Sequence, residues 1–124
     1  MVYKQDVKNE IFVFGANLAG RHGAGAALYA RVHHGAILGV GEGLTGTAYA
    51  IPTKDGLLKV LPLKIIAGYV QTFKDFARSK PDLRFNVTPI GTGLAGYRHS
   101  DIAPMFRYSP GNCKFVTTWY QYLY

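Results

Sequence analysis

The stretch IFVFGANLAGRHGAGAA, Ile11 to Ala27, decides the fold. Its first four residues are apolar, with charge before them and glycine after, which is the pattern of a buried strand. From His22 the spacing turns helical: Ala24, Ala27, Leu28 and Val32 share a face, Arg31 and His34 point outward, and Gly35 is the stop. Between strand and helix lie Gly15, Gly20, Gly23 and Gly25. Such glycines permit close backbone approach and positive φ. A helix that begins near His22–Gly23 turns its free N–H groups and dipole toward the loop, where a phosphate or diphosphate is the natural occupant. The competing reading is that the glycines serve only tight strand-to-helix packing. The spacing is neither G-x-G-x-x-G nor a P-loop, since no GK[ST] follows.

Outward from this unit the chain repeats the alternation. AILGVGEGLTGTAYAIP (36–52) reads as a short strand, a flexible loop, and a strand over TAYAI that ends at Pro52; TKDG (53–56) then forms a polar turn. Pro62 opens the clearest helix, with Ile66, Tyr69, Val70, Phe73, Phe76 and Ala77 as its apolar stripe and Pro81 just beyond its end. RFNVTPI (84–90) is a further strand running into a second glycine loop, GTGLAGY. Ser100 or Asp101 caps a short helix over Ile102 to Arg107, which puts Pro104 at its third position if Asp101 is the cap. CKFVTTWYQYL reads as a final strand or two. This order predicts one α/β domain over residues 1–124, a three-layer α/β/α fold around a mixed, largely parallel sheet. Ligands of such sheets bind at the carboxyl ends of strands. Three unusual segments fall there: 15–25, 52–56 and 91–97.

Composition supports a folded core: of 124 residues, 48% are hydrophobic and 17% charged. No apolar run is long enough to span a membrane and the opening MVYKQDVKNE is polar, so neither a transmembrane segment nor a signal peptide is expected. A lone Cys113 makes no internal disulfide and points to a reducing cytoplasm. The net charge of +7 favours anionic partners, nucleic acid or a phosphorylated small molecule. Its basic residues (Lys4, Lys8, Arg21, Arg31, Lys54, Lys59, Lys64) are scattered, unlike the clusters of a dedicated nucleic-acid binder.

Individual residues carry paired readings. Asn17 has the donors and acceptor to hold a ribose hydroxyl, or to stabilise its own turn. His22 contacts phosphate or supports the helix start. Lys54, following a buried strand and Pro52-Thr53, binds phosphate, serves as an amine nucleophile, or is an ordinary surface lysine. His33 and His34 suit the helix C-terminus, His99 has no obvious partner, and Cys113 reads as a buried inert thiol. No spacing matches zinc or calcium ligands, and no cofactor is implied.

Taken together, these segments resemble a macro domain, the α/β module that binds ADP-ribose. GANLAGRHGAGAA is similar to the macro-domain segment running from an Asn at a strand end into a Gly-rich helix start, and PIGTGLAGY is similar to the second signature loop. The subgroup with the nearest wording holds the terminal ADP-ribose glycohydrolase and the bacterial antitoxins that remove ADP-ribose from DNA. Its GAG helix start matches Gly23–Ala27, its PTK turn matches Pro52-Thr53-Lys54, and its P-x-I/L-G-C-G stretch matches Pro89–Gly93 with Thr92 in place of cysteine. The chain also resembles small proteins of phages and prophages, which implies a bacterial host cytoplasm.

The resemblance implies that Asn17 binds the ribose and that Gly15, Ala16 and Leu18 are among the ligand-binding residues. It implies that the backbones of Gly20, Arg21, His22, Gly23, Ala24, Gly25 and Ala26, and of Gly91, Thr92, Gly93, Leu94, Ala95 and Gly96, hold the diphosphate. It places Tyr97 beside the ribose, Pro52 and Thr53 in the turn, and Lys54 at the position of the catalytic lysine. Two departures bear on chemistry. Ala95 stands where the human-type glycohydrolase has an aspartate, and Gly25 stands near the aspartate of other macro-domain hydrolases. Glu42, Asp55 and Asp101 are then the remaining candidates for acid–base work. Three functions compete: a binding module for ADP-ribose or a related NAD-derived nucleotide, an ADP-ribosyl hydrolase with Lys54 as nucleophile, and a basic nucleic-acid binder whose WYQYLY segment stacks on bases.

Overall fold

The computed structural model describes residues 9–124; Lys4 and Lys8 lie outside them. Strand β1 (Glu10–Asn17) is followed by helix α1 (Gly25–His34), strands β2 (Gly43–Thr45) and β3 (Ala48–Lys54), helix α2 (Leu63–Arg78), strand β4 (Arg84–Val87), a short helix α3 (His99–Ile102) and strand β5 (Cys113–Phe115). The five strands form one mixed sheet in the order β2-β3-β1-β4-β5, in which only β2 runs antiparallel to its neighbour. The chain is thus an α/β fold with a largely parallel sheet.

β1 lies between β3 and β4, and its two faces are buried against different helices, which is why its apolar run is continuous rather than alternating. Ile11 and Val13 join the larger core with Ile66, Val70 and Phe73 of α2, Ile102 of α3, and Phe106 and Trp119. Phe14 and Ala16 point the other way, into a small core made with Ala27 and Ala30 of α1 and Ala48 and Ala50 of β3. Alanine on both sides of that second interface lets α1 lie close to the sheet.

α2 has the predicted stripe, with Ile66, Val70, Phe73 and Ala77 buried and Pro62 at its N-cap. α1 stops at Gly35, in the left-handed conformation, as expected. Its buried face differs from the expected one: Ala27 and Ala30 face inward, while Val32 is 64% exposed. His34, predicted to point outward, instead lies flat on Phe12, ring centroids 4.7 Å apart.

Other boundaries also move. The short strand forms at Gly43–Thr45, as the first arm of a hairpin with β3, and not at the start of the AILG segment. β3 runs through Pro52 and Thr53 to Lys54. Proline is tolerated there because β2 pairs only as far as Ala50, which leaves the edge beside Pro52 without a ladder to break. The short helix is preceded by Arg98, whose N–H donates to the Asp101 carboxylate at 3.1 Å, so Asp101 acts from the first turn rather than as the cap. The last segment gives one strand and then a 3₁₀ helix over Thr117–Tyr122, because Trp119 turns in to the larger core and donates its indole N–H to His99 Nδ1 at 2.8 Å. That bond also supplies the partner His99 lacked in the sequence. No helix among the described residues is long and apolar enough to cross a membrane.

Candidate functional site

The carboxyl ends of β1, β3 and β4 open into a cleft of about 300 Å3. Its walls come from Gly15 at the end of β1, Thr53 and Lys54 at the end of β3, Gly25 and Ala26 at the start of α1, and the run Thr88–Ala95 after β4. Four other hollows among the described residues are larger, about 340, 390, 710 and 810 Å3; the two largest flank β5 and share no residue with the three strand-end loops. The cleft is set apart from them by the chemistry that converges there.

One wall is the N-terminus of α1. Ala24, its N-cap residue, is extended and provides no side-chain cap, and no acidic residue occupies the first turn. The first turn's N–H groups therefore have no helical partner and carry the positive end of the helix dipole. Gly25 has φ +61°, and an added Cβ there would meet nothing nearer than Leu94 Cδ1 at 4.0 Å. Space and backbone at the helix start are thus left open to the cleft.

The opposite wall is built by an irregularity between β1 and β3. Pairing steps from Ala16↔Pro52 to Asn17↔Lys54, so Thr53 is an extra residue. Its hydroxyl donates to the Ala16 carbonyl at 3.3 Å, and Lys54 returns to register, its carbonyl accepting the Leu18 N–H at 3.0 Å. Bulges of this kind re-aim side chains near sites; here the half-buried Lys54 borders the cleft.

The third wall closes on itself. The Thr92 hydroxyl donates to the Pro89 carbonyl at 2.6 Å, the Gly96 N–H to Gly93 O at 3.0 Å, and the Tyr97 N–H to Gly91 O at 2.9 Å. Thr88 is fixed to β1, its hydroxyl donating to Val13 O at 2.7 Å.

Of the residues singled out in the sequence, the cleft brings together Gly15, Gly25, Ala26, Thr53, Lys54 and Gly91 to Ala95. Ala16, Asn17, Leu18, Gly20, Arg21, His22, Gly23, Ala24, Pro52, Gly96 and Tyr97 do not line it. Asn17 holds its own loop, with Oδ1 accepting from the Arg21 N–H and Nδ2 donating to the Arg21 carbonyl, both at 3.0 Å. Gly20 has φ +69° and packs on a second loop, where an added Cβ would come 2.3 Å from the Gly39 carbonyl carbon. His22 is 3% exposed, edge-on to Phe14, with no hydrogen-bond partner on either ring nitrogen among the described residues. Burial, and secondarily Arg31, holds its pKa below the ordinary histidine value. Cys113 is half-buried, and burial pushes its thiol up to about 12, which suppresses thiolate chemistry.

The cleft walls contain Lys54 as their one charged group and no carboxylate. Asp55 is turned onto its own turn, one oxygen accepting the N–H groups of Leu57 and Lys59 at 2.8 and 2.9 Å. Asp101 is held by Arg98, and Glu42 is exposed on the loop before β2. None of the three borders the cleft. No cluster of three His, Cys, Asp or Glu among the described residues is placed to hold a metal. The Thr53, Thr88 and Thr92 hydroxyls already donate to backbone carbonyls, so the chemistry on offer is cation and backbone N–H, a set suited to holding anionic oxygens.

Sequence reasoning missed Thr88, Pro89 and Ile90 as walls, and missed the packing partner of Gly20. That contact requires glycine at Gly20 and not at Gly39, where an added Cβ would meet nothing within 4 Å. Comparison of the chain with protein-family models, with curated proteins and with solved structures finds no match.

Proposed function

We propose that the cleft binds the phosphate groups of an ADP-ribose-type nucleotide, free or attached to a substrate. The observation that carries this reading is the convergence of an uncapped helix N-terminus, Lys54 and a glycine loop on one cleft that has no carboxylate. An anion entering it meets donors on two sides and no like charge. The resemblance of the same segments to macro-domain loops selects ADP-ribose among phosphorylated ligands. On this reading the protein sequesters or reads such nucleotides in a bacterial cytoplasm. Calorimetry with ADP-ribose tests it: saturable heat and a raised melting temperature are expected, and no heat and no shift at millimolar ligand contradicts it.

A second reading, ADP-ribosyl hydrolysis with Lys54 as nucleophile, is favoured by the position of Lys54 on the cleft wall. General acid–base help would have to come from outside that wall. Gly25 also bears on this, because an aspartate there would be forced into left-handed backbone. Turnover of ADP-ribosylated substrate that vanishes in Lys54→Ala supports the hydrolase; binding without turnover leaves the binding module.

A further inference from the structure

We infer that Tyr97 is a positioning residue that sets the separation of two of the cleft walls, the end of β3 and the loop 91–97. The inference rests on the binding role proposed for the cleft. Tyr97 lines no part of the cleft; its ring is half-buried against the larger core. Its hydroxyl donates to the Leu61 carbonyl at 2.7 Å, 36 residues away in the chain. Leu61 is itself bound to β3, its N–H donating to the Thr53 carbonyl at 2.9 Å. At the other end, the Tyr97 N–H donates to Gly91 O at 2.9 Å.

These three bonds form one path: Thr53, Leu61, Tyr97, Gly91. Its two ends are cleft walls, and its middle is out of the ligand's reach. Without the hydroxyl the loop 91–97 keeps its internal turns but loses its tie to the end of β3. The Leu61 carbonyl, on a buried residue, is then left without this donor. Loop donors must be held at a fixed distance from Lys54 to act on one anion together, and preorganisation of that kind appears as affinity. A tyrosine does this where a phenylalanine cannot, although both fill the same space.

Tyr97→Phe removes the hydroxyl alone. ADP-ribose affinity, melting temperature and amide exchange of residues 91–96 are measured in the wild type and the variant. Expected are an affinity weakened about tenfold, which corresponds to roughly one hydrogen bond, and faster exchange in 91–96 of the free protein. Exchange in α2 should be unchanged. A purely structural tyrosine would lower the melting temperature and leave affinity untouched. Wild-type affinity in the variant, or unchanged exchange in 91–96, overturns the inference. If the wild-type protein fails to bind ADP-ribose, the binding proposal falls while the exchange comparison still decides the tie.

Discussion

Asn17 holds the backbone of Arg21 at both ends of its side-chain amide, with two bonds of 3.0 Å that close the loop after β1 before the chain turns into α1. Asn17 is 8% exposed, and its amide oxygen and one amide N–H are engaged in these two bonds. Asn17 therefore shapes the approach of α1 to the cleft. Asn17→Ala should cost about 1–3 kcal/mol, because it leaves partly buried Arg21 backbone groups unpaired. Asn17→Asp, which keeps the acceptor and loses the donor, should fall between the two. Urea denaturation of the three proteins checks the order; an Ala variant as stable as wild type contradicts it.

The glycines of the loop separate into two kinds. Gly20 combines φ +69° with a backbone contact that a Cβ would bring to 2.3 Å, whereas Gly23 has open space around the position of its Cβ. Gly20→Ala should destabilise by roughly 2–5 kcal/mol, from overpacking and left-handed strain together. Gly23→Ala should stay within about 0.5 kcal/mol of wild type. Equal effects at the two positions would show that the loop relaxes around either.

Acid should loosen the α1 side of the fold. An unfolded chain carries histidine with the ordinary value of 6.5, while burial first and Arg31 second hold His22 below it in the fold. The unfolded state then binds more protons as pH falls through that value, so stability is full above it and declines below. His34 adds in the same direction through burial and its neighbour His33. Denaturation midpoints should be lower at pH 5.5 than at pH 7.5 (both about one unit from the histidine value), and the difference should shrink in His22→Phe. An undiminished difference in that variant would assign the effect elsewhere.

Lys54 is the one charged side chain on the cleft wall. Lys54→Met keeps the length of the stem and removes the charge. It should weaken ADP-ribose binding by about tenfold or more, the scale of a charge-assisted hydrogen bond, with little change in melting temperature. Binding that survives intact would move the anion away from Lys54.

Much of this site was legible because it depends on order along the chain. A strand at Ile11–Phe14, a helix before Gly35 and a second strand–loop pair at 84–97 are local patterns, and parallel pairing brings their ends to one side of the sheet. What escaped depends on contacts between distant segments. Nothing near Gly20 announces Gly39, nothing near Tyr97 announces Leu61, and the bulge at Thr53 exists only once β1 and β3 are in register. The β2–β3 hairpin was hidden for a related reason: Gly43 to Thr45 is too short for a periodic signal.

The most direct test of the central claim locates the ligand. Isotope-labelled protein titrated with ADP-ribose should show its largest amide shifts at Gly25, Ala26, Thr53, Lys54 and Gly91 to Ala95, the walls of the cleft. Shifts confined to the hollows beside β5, or no shifts at millimolar ligand, would contradict the claim.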